Sequence, residues 1–247
     1  MKHEGSNRLR VFLDFDGTVS REDVVDTILE TYADPAWLRV EQDWQAGRIG
    51  SRECLRAQMA LVRATEDEMN GLLDRIQLDD GFAGLLEMCV RDAVAVHILS
   101  DGFDYCIGRI LRRAGPDIER LLGGVEVCAS HLEPCGDRDW RVDFPLFPNM
   151  CAHGCATCKP AAMRLLDADD RGPTVFVGDG LSDRYAASAA DEVFAKGTLA
   201  RYCRREGIAY RHYKDLRDVT ISLEKMLRDR AIQLSPERIT RGTLWAR

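Results

Sequence analysis

No apolar run in this chain approaches the ~20 residues that a membrane helix needs, and the opening MKHEGSNRLR lacks the apolar stretch of a signal peptide. A membrane partner is therefore not expected, and the cytoplasm is the expected location. A basic stripe is also missing. The 34 Lys and Arg residues are scattered and outnumbered by 41 Asp and Glu, for a net charge of -7, so nucleic acid is not an expected partner. There is no internal repeat, and only one strict Cys-x2-Cys pair where an ordinary zinc ribbon needs two.

What is present is material for a core. The 247 residues, 45% of them hydrophobic, fit one large domain or a core domain with a small insert. Residues 9–14 (LRVFLD) form a short apolar run closing on Asp14, which reads as a buried strand running into the FDGT turn. From Glu22 to Leu78 the apolar residues follow helical spacing, as in Val24, Val25, Ile28 and Leu29, without strand-like alternation. Residues 93–99 (AVAVHIL) predict a second buried strand ending at Ser100-Asp101-Gly102, followed by a helix over 105–114. Further strands are expected at 125–129, 174–177, 192–195 and 208–210, a hairpin arm at 140–147, and a helix at 161–166. Strands alternating with helices indicate a Rossmann-like, doubly wound parallel sheet of the α/β class, with sites outside the carboxyl ends of the strands. Residues 235–247 are polar and Arg-rich and read as a tail.

Three motifs lie at such strand ends. Asp14-Phe15-Asp16-Gly17-Thr18 sets two carboxylates two residues apart, on one side of an extended chain. Two close carboxylates repel, which favours a bound cation or a shared proton; on its own the same pentapeptide also suits a solvated Asp turn. Ser100 follows the second strand, Lys159 precedes Pro160 and a helix, and Gly178-Asp179-Gly180-Leu181-Ser182-Asp183 follows another buried strand. Together they supply what phosphoryl transfer requires: a nucleophile, an acid/base, a hydroxyl and an ammonium for the phosphoryl oxygens, and carboxylates for magnesium.

This set resembles the four motifs of the haloacid dehalogenase superfamily, and the likeness spans about Leu9 to Ala195. The resemblance implies Asp14 as nucleophile forming an aspartyl-phosphate, Asp16 as general acid and then base, and Lys159 neutralising charge between Asp14 and the phosphate. It further implies phosphate and substrate binding by Ser100, Asp101, Gly102, Gly17 and Thr18. A Mg2+ ion would be held by Asp14, the Asp16 carbonyl, Asp179 and Asp183. Asp16 can protonate an alkoxide leaving group; dehalogenases of the superfamily lack that second aspartate, so phosphomonoester hydrolysis is expected. A phosphotransferase or phosphomutase using the same intermediate, and a non-catalytic phosphate-binding regulator, stay open.

The largely helical stretch between the first two motifs resembles the superfamily's helical cap, inserted after the first strand. The expected division is 1–20 and 82–234 as core, 21–81 as cap and 235–247 as tail. The GDGxSD form of the last motif is similar to that of the phosphoserine phosphatase-like group. Phosphoserine phosphatases carry glutamate at the place of Asp23, where it meets the substrate ammonium. Aspartate there, with the lead-in Cys158-Lys159-Pro160, resembles instead the 2-hydroxy-3-keto-5-methylthiopentenyl-1-phosphate phosphatases, and next the phosphoethanolamine/phosphocholine phosphatases. Asp23 is thus a candidate substrate contact, while a simple helix N-terminal acid is the alternative. The expected partner is a small phosphorylated metabolite; oligomeric state is not legible, a homodimer being one arrangement considered.

Five of the nine cysteines fall between Cys128 and Cys158. In a chain without an export signal they read as thiols or metal ligands before disulfides. Cys151, Cys155 and Cys158, completed by Cys128, form a ligand-like set for a structural Zn2+. The main reading is buried, inert thiols shaping the loop before Lys159, and the structural zinc or a redox-sensitive disulfide is the alternative.

Overall fold

The computed structural model describes residues 8–146, 151, 153–166 and 172–234, so the expected tail at 235–247 lies outside the described residues. Seven strands form one sheet in the order β4-β3-β2-β1-β5-β6-β7. They are β1 Arg10–Leu13, β2 Ala95–Phe103, β3 Val127–Pro134, β4 Trp140–Asp143, β5 Thr174–Gly178, β6 Glu192–Ala195 and β7 Arg211–His212. All neighbours are parallel except β3 with β4, which form the expected hairpin. The helices are α1 Val24–Tyr32, α2 Trp37–Gln45, α3 Ser51–Met59, α4 Glu66–Leu73, α5 Phe82–Arg91, α6 Asp104–Arg113, α7 Pro116–Leu121, α8 Lys159–Leu165, α9 Arg184–Ala187, α10 Gly197–Glu206 and α11 Leu216–Leu234.

Strand alternation assigns side chains to two apolar layers. Val11 and Leu13 of β1, with Val175 and Val177 of β5, join a layer completed by α5, α6, α7 and α11. Phe12 and Phe176, the residues between them, join a second layer with α8, α9 and α10. Both faces of β1 and β5 are therefore covered, which is why these strands read as unbroken apolar runs. Each such fully buried side chain contributes roughly 1.5–3 kcal/mol through burial. The strand order reverses at β1, whose neighbours are β2 on one side and β5 on the other. A crevice opens at the carboxyl ends of such a reversal point.

The four helices between β1 and α5 follow the helical spacing of the sequence. Their apolar faces, including Ile28, Leu29, Leu55, Met59, Met69 and Leu73, continue the first layer. α1 starts where the Asp23 carboxylate accepts the Asp26 N–H at 2.9 Å, and α4 where Thr65 and Glu68 form a reciprocal capping box. The β3–β4 hairpin grips this group: the Trp140 indole N–H donates to the Ala64 carbonyl at 2.9 Å, and the Arg56 guanidinium lies over the Phe144 ring.

Several boundaries differ from expectation. β2 runs on through Ser100-Asp101-Gly102 to Phe103, because Phe103 is buried and pairs with Ser130 of β3 after a register shift. β3 continues to Pro134 because β4 pairs with its second half. β7 sits at 211–212 in place of 208–210. α11, which sequence spacing did not single out, packs against α5 and brings Leu216, Val219 and Leu223 into the first layer. Among the described residues, no helix is long and apolar enough to cross a membrane.

Candidate active site

β1 ends at Leu13 and β5 at Gly178, which delivers Asp14 and Asp179 side by side at the crevice. The Asp14 N–H donates to the Val177 carbonyl at 2.9 Å, fixing the first carboxylate at the sheet edge. Asp183, on the turn Leu181–Asp183, is fully buried and accepts the N–H groups of Asp179 and Gly180, each at 3.1 Å. Among the described residues, Asp14, Asp179 and Asp183 are the one group of three His, Cys, Asp or Glu side chains whose ligand atoms converge, all within 4.8 Å. A set of hard carboxylate oxygens of this kind suits Mg2+.

Lys159 opens α8 and is 2% exposed. Its Nζ lies 2.6 Å from Asp14 Oδ1 and 2.5 Å from Asp183 Oδ1, a cation between two buried anions. Burial alone would discharge it, but Asp14, Asp183 and Asp101 hold its pKa well above the usual lysine range. Burial, reinforced by Asp183, pushes Asp14 well up, with Lys159 opposing. Asp179 is raised to about 6, first by burial and then by Asp183.

Asp16 faces the other way. Its Oδ1 accepts the Val24 N–H at 3.1 Å, at the start of α1, and its Oδ2 accepts the Ser100 hydroxyl at 2.9 Å. Burial and then the nearby Asp23 raise it to about 7, against the hydrogen bonds from Ser100 and Val24. A carboxyl in that range holds and releases a proton near neutrality. Gly102 must lack a side chain here, since a Cβ would fall 2.5 Å from Asp16 Oδ2. Gly17, at φ +70°, is equally constrained: a Cβ would meet Asp179 Oδ2 at 2.6 Å.

Asp14, Asp16, Asp23, Asp101, Gly102 and Asp179 line one cavity of about 560 Å3. Lys159, Asp183 and Ser100 stand behind this wall, bonded to residues on it. Thr18 is also behind it, fully buried, with its hydroxyl on Asp179 Oδ1 at 3.1 Å. The side facing the sheet is closed by α1, α2 and α3, which contribute Asp26, Glu41, Trp44, Gln45, Ser51 and Gln58. Asp26 keeps solvent contact within this wall, and protein packing followed by Asp23 and Glu41 lifts its carboxyl to about 7.

Sequence reasoning missed Asp26 and Glu41. Asp26 lies three residues after Asp23, on the same helix face, and that spacing was a usable signal; Glu41 arrives only by folding. It also missed the Asp101 side chain, whose Oδ1 accepts the Thr157 N–H at 3.1 Å, tying the end of β2 to the loop before Lys159.

Of the cysteine readings, free thiols in the loop before Lys159 fit the structure, and the zinc set is not supported. Cys128 lies on β3 in the second apolar layer, and all nine thiols are free. The Cys155 N–H reaches Cys151 Sγ at 3.3 Å, yet Cys128, Cys151, Cys155 and Cys158 do not converge as metal ligands. The loop is braced through its backbone: Arg52 of α3 donates from Nε to the Cys155 carbonyl at 2.7 Å and from its N–H to the Gly154 carbonyl at 3.1 Å. These bonds hold the loop beside Lys159, and its Cys151, Cys155 and Cys158 are free thiols.

The family model described as haloacid dehalogenase-like hydrolase matches residues 11–188. The chain belongs to that family. The match begins inside β1 and ends past α9, so all the strand-end carboxylates and Lys159 fall within it. This hydrolase is 24% identical over 226 residues to a 2-hydroxy-3-keto-5-methylthiopentenyl-1-phosphate phosphatase of Bacillus mycoides (strain KBAB4), covering 89% of the chain and 97% of the relative. A protein of the same name from Geobacillus thermodenitrificans (strain NG80-2) is 27% identical over 222 residues, covering 89% and 97%. Among solved structures, a phospho-aspartyl intermediate analogue of phosphoserine phosphatase shares the fold with a TM-score of 0.63 at 17% identity, over 87% of this chain and 97% of that one.

Proposed function

We propose that this hydrolase is a Mg2+-dependent phosphatase that cleaves a small phosphomonoester through an aspartyl-phosphate on Asp14. The observation that carries the reading is Asp14 itself: it is charge-paired with Lys159 at 2.6 Å, shares a ligand site with Asp179 and Asp183, and lines the cavity next to Asp16. An Asp14 oxygen attacks phosphorus, the bond to the leaving oxygen breaks, and Asp16 gives its proton to that oxygen. Asp16, now ionised, takes a proton from water as the water attacks phosphorus; the bond to Asp14 breaks and inorganic phosphate leaves. Lys159 balances the charge of Asp14 and the incoming phosphate, and the Ser100 hydroxyl, which here donates to Asp16 and accepts the Gly102 N–H, would turn to the phosphoryl oxygens with the Asp101 and Gly102 backbone, beside Gly17 and Thr18. Mg2+, held by Asp14, Asp179, Asp183 and the Asp16 carbonyl, would neutralise the charge that otherwise builds up among carboxylates and phosphate.

Residues 21–81 act in this reading as a cap on a core made of 1–20 and 82–234. The chain leaves and re-enters the core at adjacent points, where Ser20 and Leu78 form an antiparallel bridge, and a cap hinged there can exclude water during the reaction. The names of the relatives make a methylthio-ketopentenyl phosphate the first substrate to try. A second reading rests on the cap side of the cavity. Asp23, Asp26 and Glu41 face it, which favours a phosphomonoester carrying a cationic group, such as an amine.

Hydrolysis of p-nitrophenyl phosphate that needs Mg2+ and disappears in Asp14→Asn tests the reaction. No turnover at any pH or metal would leave only a phosphate-binding protein, and transfer to an added alcohol in preference to water would identify a phosphotransferase. A panel holding the methylthio-ketopentenyl phosphate, phosphoserine and phosphoethanolamine separates the two substrate readings by their kcat/KM.

A further inference from the structure

We infer that Tyr213 is a positioning residue for the candidate metal site, acting through Thr18 on the Asp179 carboxylate. Tyr213 follows β7, far from every motif in the sequence, and is only 1% exposed. Its hydroxyl lies 3.2 Å from Thr18 Oγ1 and 3.3 Å from the Gly178 carbonyl. Thr18, itself without exposed surface, reaches Asp179 Oδ1 at 3.1 Å.

The direction of this chain follows from counting protons. An ionised Asp179 can only accept, so the single Thr18 hydroxyl proton points to Asp179. Thr18 then has none left for Tyr213, and their contact is a hydrogen bond only if Tyr213 donates. The threonine proton therefore runs to Asp179, and the one phenolic proton faces two acceptors, Thr18 Oγ1 and the Gly178 carbonyl, and is shared between them, which gives a two-hydroxyl relay aimed at one carboxylate oxygen. The Gly178 carbonyl does not depend on Tyr213, because it also accepts the Lys196 N–H at 3.3 Å.

The rest of Asp179 is fixed independently. Its N–H is held by Asp183 Oδ2 at 3.1 Å and its carbonyl by the Leu199 N–H at 2.8 Å. What the relay adds is the setting of the side chain, which has room on its other oxygen only because residue 17 is glycine. The Lys196 ammonium sits 4.9 Å from the centre of the Tyr213 ring, which holds the ring from the β6 side. A carboxylate held in one rotamer meets a cation without having to be ordered first, and outer hydrogen-bond partners of metal ligands typically change affinity tenfold or more.

The inference rests on Asp179 being a metal ligand, and the experiment separates the two ideas. Wild type, Tyr213→Phe, Thr18→Val and the double variant are stripped with chelator, and their melting temperatures are followed against Mg2+ concentration without substrate. The melting point in chelator reports any structural loss, and the concentration dependence reports affinity. Tyr213→Phe keeps the buried ring and is expected to weaken Mg2+ about 3- to 10-fold, the range of one net hydrogen bond. Thr18→Val is expected to weaken it by at least as much, and the double variant no further, since each change breaks the same chain. Should Tyr213→Phe melt earlier but bind Mg2+ as wild type does, or should the two losses add, the relay is overturned. A wild type whose melting does not respond to Mg2+ would overturn the metal reading itself. If Thr18→Val fails to fold, Thr18→Ser, which keeps the hydroxyl, must bind Mg2+ as wild type does, and a Tyr213→Phe loss of equal size in that background completes the test.

Discussion

Lys159→Met tests whether one buried cation holds the carboxylate cluster together. Methionine keeps a long apolar side chain in place, so the change removes charge with little loss of packing. It leaves Asp14 and Asp183, with side chains 6% and 0% exposed, next to each other and without their shared partner. Removing one member of a buried ion pair costs about 3–5 kcal/mol. At about 2–4 °C per kcal/mol for a chain of this size, the melting temperature should fall by roughly 6–20 °C in chelator at pH 8. The loss must depend on pH in one direction. Without Lys159 the folded pKa of Asp14 rises further above its ordinary carboxylate value, so the folded state is penalised once pH exceeds that ordinary value, near ~4. The penalty grows until pH passes the folded pKa, so proton uptake makes it smaller at pH 5 than at pH 8. Scanning calorimetry of wild type and variant at pH 5 and pH 8, with chelator and with Mg2+, reads all of this. Added Mg2+ should return part of the lost stability by restoring positive charge. A deficit under about 1 kcal/mol at pH 8 in chelator, or one that widens on acidification, would refute the reasoning.

In the proposed reaction Asp16, raised to about 7, must be protonated to serve the leaving oxygen, so kcat/KM for an alkyl phosphate should decline as pH rises through about 7. Asp16→Asn should abolish that limb and lower the rate by roughly 10²–10⁴, with p-nitrophenyl phosphate less affected because its leaving group needs no proton. Gly102→Ala places a methyl group 2.5 Å from Asp16 Oδ2; it should reduce turnover far more than it lowers the melting temperature, and equal losses in both would argue for a purely structural role. Trp140→Phe leaves the Ala64 carbonyl without its indole donor, and chemical denaturation should show a loss of roughly 1–3 kcal/mol.

Those effects differ in how visible their causes are in the sequence. Asp14 and Asp179 could be read because each follows an apolar run that is buried on both faces, and such runs announce strands whose ends are known. The end of β2 was misplaced for the same reason in reverse: Ser100, Asp101 and Gly102 are polar or small, yet Phe103 beyond them is buried and still paired. α11 was passed over because its core contacts Leu216, Val219 and Leu223 stand among charged residues, and only packing against α5 shows which face is apolar. The cysteine spacing matched a metal pair as well as it matched a loop of free thiols, because ligand spacing says nothing about where the fourth ligand points. In this chain the fourth candidate, Cys128, is committed to the apolar layer of a strand.

Specificity belongs to the part that periodicity cannot show. Local pattern encodes which side of an element is buried, whereas the cavity wall is made by elements distant in sequence. Asp26 and Glu41 reach the same space as Asp16 because α1 and α2 fold over β1, and Asp101 meets Thr157 because β2 ends beside the loop before α8. The strand-end motifs can therefore stay unchanged while this wall changes charge. It follows that Asp26→Asn and Glu41→Gln, which leave Asp14, Asp16, Asp179 and Lys159 in place, should alter the order of preferred phosphomonoesters more than the rate on p-nitrophenyl phosphate. A substrate panel showing all rates scaled by one common factor would place specificity elsewhere in the cavity.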